Sequence, residues 1–119
     1  MNNLIDKVRR QLPLHVRDIS WDGDNFVILG EDWRFSTSCV WRVLNEGQIK
    51  YACWDEKSEI LIKEMVGEKI VSLDIQCERI NVDPVFIMSG NKIVEIFSCS
   101  SLEPWEMQFL NGEIYIGNS

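Results

Sequence analysis

A chain of 119 residues is long enough for one domain that buries roughly two-thirds of its unfolded surface, so neither a metal nor a disulfide is needed to hold a core. Hydrophobic residues at 45% and charged residues at 26% are an ordinary globular balance, and no apolar run approaches the ~20 residues of a membrane-spanning helix. Lys and Arg number 12 against 19 Asp and Glu; the resulting charge of −7 repels phosphates and argues against a nucleic-acid ligand.

Residues 3–12 carry Leu4, Ile5, Val8 and Leu12 at helical spacing. A short helix is expected there, capped by Asn3 and ended by Pro13. Charges at Asp6, Lys7, Arg9 and Arg10 break the apolar run, so this segment does not read as a secretory leader and the expected location is the cytoplasm. Strands follow at Val16 to Trp21 and Phe26 to Leu29, separated by the turn Asp22-Gly23-Asp24-Asn25. Trp33 to Ser36 and Val40 to Leu44 read as two strands joined at Thr37-Ser38, and Asn45-Glu46-Gly47 turns the chain into a half-buried strand from Ile49 to Trp54.

Residues 56–66 are the candidate for a second helix, with Asp55 as cap, Glu56 and Glu59 in the first turn and Gly67 as the stop. In that helix Ile60, Leu61, Met65 and Val66 face the core; a strand over Ile60–Ile62 is the competing assignment. Ile70 to Ile75 alternates, Val85 to Met88 and Lys92 to Phe97 flank Ser89-Gly90-Asn91, and Trp105 to Leu110 and Glu113 to Ile116 flank Asn111-Gly112, the strongest hairpin signal in the chain. The expected fold is one mostly β (α+β) domain over residues 1–119. It is a curled antiparallel sheet or small barrel-like meander of hairpins, with a short N-terminal helix and one internal helix.

Chemistry-bearing clusters are sparse. Cys39, Cys53, Cys77 and Cys99 are separated by 14, 24 and 22 residues, without the paired spacing of a zinc site, and each lies in an apolar run, so four buried free thiols are expected. The single histidine, His15, sits at a helix–strand junction and reads as a turn or surface residue. The seven glycines form no phosphate-binding motif. No catalytic, metal or cofactor site is expected, and the chain does not read as an enzyme.

The distinctive segment runs from Trp33 to Val43. If Thr37 centres a hairpin, Trp33 faces Trp41 and Phe35 faces Cys39, with Arg34 and Arg42 on the opposite face. A core hairpin with arginine stems lying over the sheet is the preferred reading; an arginine pair holding an anion or a partner carboxylate is the other.

The runs Gly30-Glu31-Asp32-Trp33-Arg34-Phe35, Cys39-Val40-Trp41-Arg42-Val43 and Gly67-Glu68-Lys69-Ile70-Val71-Ser72-Leu73 resemble small bacterial proteins of about this length that accompany polymorphic or contact-dependent toxin systems. The region from Ser98 to Trp105, ending in Glu103-Pro104-Trp105-Glu106, shares the likeness. The resemblance covers most of the chain after residue 20 and implies an immunity protein, which binds a toxin domain and blocks it. It carries over no functional residues.

Charge refines that expectation. Residues 1–17 hold Lys7, Arg9, Arg10 and Arg17 against Asp6, a net +3, so the remaining 102 residues carry −10. An acidic surface suits a basic protein partner, such as the cleft of a nuclease toxin. The expected contact residues join tryptophans to carboxylates: Trp54, Asp55, Glu56, Glu59 and Glu64 in one segment, Glu103, Trp105 and Glu106 in another. The alternative function is a small ligand-binding or enzymatic β domain with a tryptophan-rich pocket.

Overall fold

The computed structural model describes residues 3–77, 80–99 and 102–117. The side chains of Asn3, Leu4 and Cys77 fall outside the described set, and with them the expected Asn3 cap, the place of Leu4 on the helical stripe and the state of the Cys77 thiol.

Helix α1 (Asn3–Arg9) buries Ile5 and Val8 and ends ahead of a cis Leu12–Pro13 peptide. Among the described residues eleven strands follow: β1 (Leu14–His15), β2 (Asp18–Trp21), β3 (Phe26–Leu29), β4 (Trp33–Thr37), β5 (Val40–Asn45), β6 (Gln48–Ala52), β7 (Lys69–Cys77), β8 (Ile80–Met88), β9 (Lys92–Phe97), β10 (Glu106–Phe109) and β11 (Ile114–Ile116). Between β6 and β7 the chain forms α2 (Ser58–Leu61) and a 3-10 turn (Ile62–Met65). The strands make two open antiparallel sheets, ordered β1-β7-β8-β9-β5-β6 and β11-β10-β4-β3-β2. The expected mostly β fold with two short helices is therefore present, as two sheets without a closed barrel.

Alternation along β2, β3, β4, β5 and β9 turns one face of each sheet inward. Phe26, Ile28 and Phe35 from one sheet and Trp41, Val43, Phe86, Val94 and Ile96 from the other form a single core. Rings lock the sheets together: Phe26 stacks on Trp41 with centroids 4.5 Å apart, Trp21 meets Trp41 edge-on at 5.6 Å, and Phe35 meets Phe86 edge-on at 4.9 Å. Helix α1 adds Ile5 and Val8 to this core and is held in place by Arg9, whose Nε donates to the Leu73 carbonyl at 2.8 Å.

Residues 33–43 are not a hairpin. β4 pairs with β3 and β10, whereas β5 pairs with β6 and β9, so Thr37–Val40 carries the chain from one sheet to the other. Trp33 and Trp41 are both buried but lie in different sheets. The two arginines part company as well. Arg34 is exposed, while Arg42 pairs with Glu95 and lies over the Phe97 ring at 4.8 Å. That environment gives Arg42 a packing role of the kind expected for an arginine stem on a sheet.

A second crossing, from β9 to β10, lies beside the first. Val40 is in register with Phe97, and Ser36 with Glu106. Thr37 is buried between the crossings: its hydroxyl donates to the Pro104 carbonyl at 2.6 Å and accepts the Cys39 N–H at 3.0 Å. Cys39 and Cys99 are joined there by a disulfide, with Cα atoms 5.6 Å apart. This overturns the expectation of four free thiols. Residues 60 apart in sequence become neighbours because two strand pairs cross together, a proximity that spacing cannot reveal. Cys53 is free and half-buried.

The internal helix also departs from expectation. Lys57, at φ 66°, starts α2 in a left-handed conformation, and after four residues α2 tightens into the 3-10 turn. The phase of the pattern shifts: Ile62 and Met65 are buried, while Ile60, Leu61 and Val66 face solvent. Asp55 does not cap α2 with its side chain; it accepts the Ala52 N–H at 2.7 Å and closes the preceding turn. Gly67, at φ 92°, ends the segment as expected.

Trp41 is fully buried and touches rings from both sheets. Trp41→Ala is expected to cost about 3–5 kcal/mol, read as a lower urea midpoint with an unchanged slope. A midpoint equal to wild type would place the indole outside the core.

Candidate functional site

The registers bring most of the expected contact residues to one end of the molecule. Cys53 N–H donates to the Trp41 carbonyl at 3.1 Å, so the chain leaves β6 beside the start of β5. That start is also where β9 ends, where β4 crosses over and where β10 begins. The β2–β3 turn belongs to the same end, since Phe26 is in register with Thr37. Sequence-distant segments 22–25, 53–57 and 103–106 are therefore neighbours in space.

This end is acidic. Asp22, Asp24, Asp55, Glu56 and Glu103 are all exposed, against the single exposed cation Lys57 in these three segments. The turn acids are held in place locally. Asp22 accepts the N–H groups of Asn25 and Asp24 at 2.7 and 2.8 Å, and these bonds hold its carboxyl below the ordinary range. A shallow groove of about 170 Å³ joins Asn25 and Thr37 to Glu103, Pro104 and Glu106.

Trp54 stands out here. It is 72% exposed, directly after β6, while Trp33, Trp41 and Trp105 are at most 5% exposed. Ile60, 62% exposed, and Leu61, 43% exposed, lie on the adjoining α2, where Glu59 is exposed as well. An indole and two aliphatic side chains outside the core, bordered by carboxylates, form an apolar anchor with a charged rim. Ile60 and Leu61 were missed from sequence because a regular helix turns them inward. The left-handed Lys57 is the local feature that turns them out, and its sequence gives no such signal.

Other expected contact residues have different places. Trp105 is buried against Phe35, with ring centroids 5.7 Å apart, so it is part of the core. Glu106 accepts a hydrogen bond from Gln108 Nε2 on its own strand. Glu64 lies at the surface of the 3-10 turn, where its carboxylate accepts Lys50 Nζ and the Tyr51 hydroxyl, each at 2.7 Å. Partial burial pushes the Glu64 carboxyl up, but the bonds from Lys50 and Tyr51, with the charges of Lys50 and Lys92, outweigh it and hold the group below its ordinary value. Burial, and then the bond to Glu64, push the Tyr51 phenol up. Glu64 thus ties β6 to the 3-10 turn and positions the α2 segment.

Trp33, Trp41 and Trp105 are buried in the core, and Trp33 also borders a cavity of about 310 Å³ with Pro13, His15 and Phe109. His15 is exposed on β1. Among the described residues no three His, Cys, Asp or Glu side chains are grouped to hold a metal, and no helix is long and apolar enough to cross a membrane. Comparison with family models, curated proteins and solved structures finds no match for the chain.

Because the folded state holds Glu64 more acidic than the unfolded chain does, its contribution is present above the ordinary Glu value of about 4.3 and fades as pH falls through the lower folded value. Glu64→Gln should therefore lower the urea midpoint at about pH 7, by a margin that shrinks as pH falls below about 4.3. A difference that stays constant as pH falls would show that the charged form of Glu64 adds nothing.

Proposed function

We propose that this chain is an immunity protein of the cytoplasm, which neutralises a cognate bacterial toxin domain by binding rather than by catalysis. The observation that carries the reading is Trp54, left 72% exposed at an acidic end of an otherwise well-buried tryptophan set. Exposing an indole forgoes the burial that the other tryptophans use for stability, and such residues are the usual anchors of tight interfaces. The acidic rim selects a basic partner, for which a nuclease with a cationic cleft is suited, because carboxylates can stand where phosphates would bind. The likeness of the Trp-Arg runs to immunity proteins supports the same class of partner.

In this reading Trp54, Ile60 and Leu61 enter the partner's surface, while Glu56, Glu59 and Glu103 steer the approach. Asp55 contributes charge but also closes the turn after β6, so its replacement perturbs the fold. Glu64 acts behind the face, by holding α2 in place.

The test is titration with a candidate toxin domain, sought first among the genes beside this one. Trp54→Ala is expected to cost about 2 kcal/mol or more in affinity, mostly as faster dissociation, with the urea midpoint unchanged. Glu56→Lys with Glu59→Lys should slow association and flatten its dependence on salt, since steering acts over about 8–10 Å at moderate ionic strength. Unchanged affinity and salt dependence in both variants would move the contact elsewhere, and no binding by wild type would remove the immunity reading.

A further inference from the structure

We propose that the Cys39–Cys99 bridge is a reversible thiol-exchange site, opened by a small thiol of the glutathione class that becomes attached to Cys99. Three observations carry this. First, the bridge is asymmetric: Cys99 is exposed, whereas Cys39 is buried at 2% exposure. An incoming thiolate therefore meets the Cys99 sulfur. Second, the sulfur that must leave has a waiting donor. The Cys99 N–H points at Cys39 Sγ at 3.1 Å, and a hydrogen bond to the departing thiolate lowers its proton affinity and speeds exchange. Third, the corner does not depend on the bridge alone. The Thr37 hydroxyl still reaches the Pro104 carbonyl, and the Val40–Phe97 and Ser36–Glu106 registers lie in the sheets themselves.

The chemistry balances simply. The attacking thiolate forms a new S–S bond to Cys99 Sγ, and the Cys39–Cys99 bond breaks with its electron pair on Cys39 Sγ, which takes a proton from water. Two exits follow. The Cys39 thiolate attacks Cys99 Sγ again, expels the small thiol and restores the bridge. Alternatively a second small thiolate attacks the attached one, leaving two protein thiols and one oxidised small disulfide. In a thiol-rich compartment a structural bridge this accessible is transient, so its occupancy follows the thiol pool. The proposal does not depend on what the acidic end binds.

The experiment uses the wild-type full chain, equilibrated with glutathione at graded ratios of reduced to oxidised form. Exchange is quenched in acid, free thiols are alkylated and peptides are mapped by mass spectrometry, with circular dichroism recorded alongside. The expected result is a linked Cys39–Cys99 peptide in oxidised protein. It gives way, as reduced glutathione rises, to glutathione on Cys99 with alkylated Cys39, while the β-sheet spectrum persists. The proposal is overturned if oxidised protein shows Cys39 and Cys99 both free, if glutathione is found on Cys39, or if the bridge opens only in denaturant. Thr37→Val removes the hydroxyl that holds the corner but leaves the Cys99 N–H donor, and should preserve attachment at Cys99. A shift of the adduct to Cys39 in that variant also counts against the proposal.

Discussion

Trp41 is the side chain on which the two sheets meet. It sits in β5, yet its ring is stacked on Phe26 of β3 and capped edge-on by Trp21 of β2, with Tyr51 of β6 against a further edge at 6.3 Å. Its indole N–H is buried with no hydrogen-bond acceptor among the described residues, a cost of about 1–3 kcal/mol that the ring contacts must outweigh. Fixing this ring fixes the spacing of the sheets, and with it the end of β6 from which Trp54 projects. The backbone bond from Cys53 to the Trp41 carbonyl makes that link directly. The most buried tryptophan in the chain thus positions the most exposed one.

The same constraint explains which parts of the fold could be read from sequence. The turns at 22–25, 45–47, 89–91 and 111–112 were legible because each holds a residue with positive φ: Gly23 at 99°, Glu46 at 53° and Gly47 at 77°, Asn91 at 68° and Gly112 at 91°. Gly and Asn adopt that conformation at low cost and advertise it in the sequence. Thr37-Ser38 has no such residue, and the chain there does not reverse within one sheet. The missing glycine was the available signal that this segment is a crossing. Alternation alone cannot separate the two, because a strand continuing into a second sheet keeps its period.

The internal helix shows the opposite failure. Its apolar residues do fall at helical spacing, but the spacing fixes only relative phase. A left-handed Lys57 and an early change to 3-10 geometry rotate Ile60 and Leu61 outward and leave Ile62 and Met65 to the core. The candidate site was half legible for the same reason. The acids at Asp55, Glu56, Glu59 and Glu103 are on the surface, as charged residues without buried partners must be. Trp105 could not be told from Trp54 by composition, since both follow or precede carboxylates. Their fates differ because Trp105 enters a strand between β4 and β11, whereas Trp54 leaves an edge strand into a turn.

Placing the acids and the exposed tryptophan where the sheets exchange strands has an energetic logic. Both crossings interrupt the ladders, so that end must satisfy its backbone by other means: Thr37 serves Pro104 and Cys39, Asp55 serves Ala52, Asp22 serves its own turn, and Asp83 accepts the Ser98 N–H at 2.9 Å. Side chains that close turns are already fixed, so less of their conformational entropy remains to be lost on binding. Trp54 adds a rigid ring with few rotatable bonds, whereas the long acids Glu56, Glu59 and Glu103 stay solvated at the rim, where charge acts on approach more than on final affinity. The opposite end, built from the ordinary turns after β5, β8 and β10, has its apolar exposure scattered over single residues such as Leu110. Scattered exposure is normal for any soluble surface, and the proposed partner face rests instead on Trp54, Ile60 and Leu61 being exposed near a set of carboxylates.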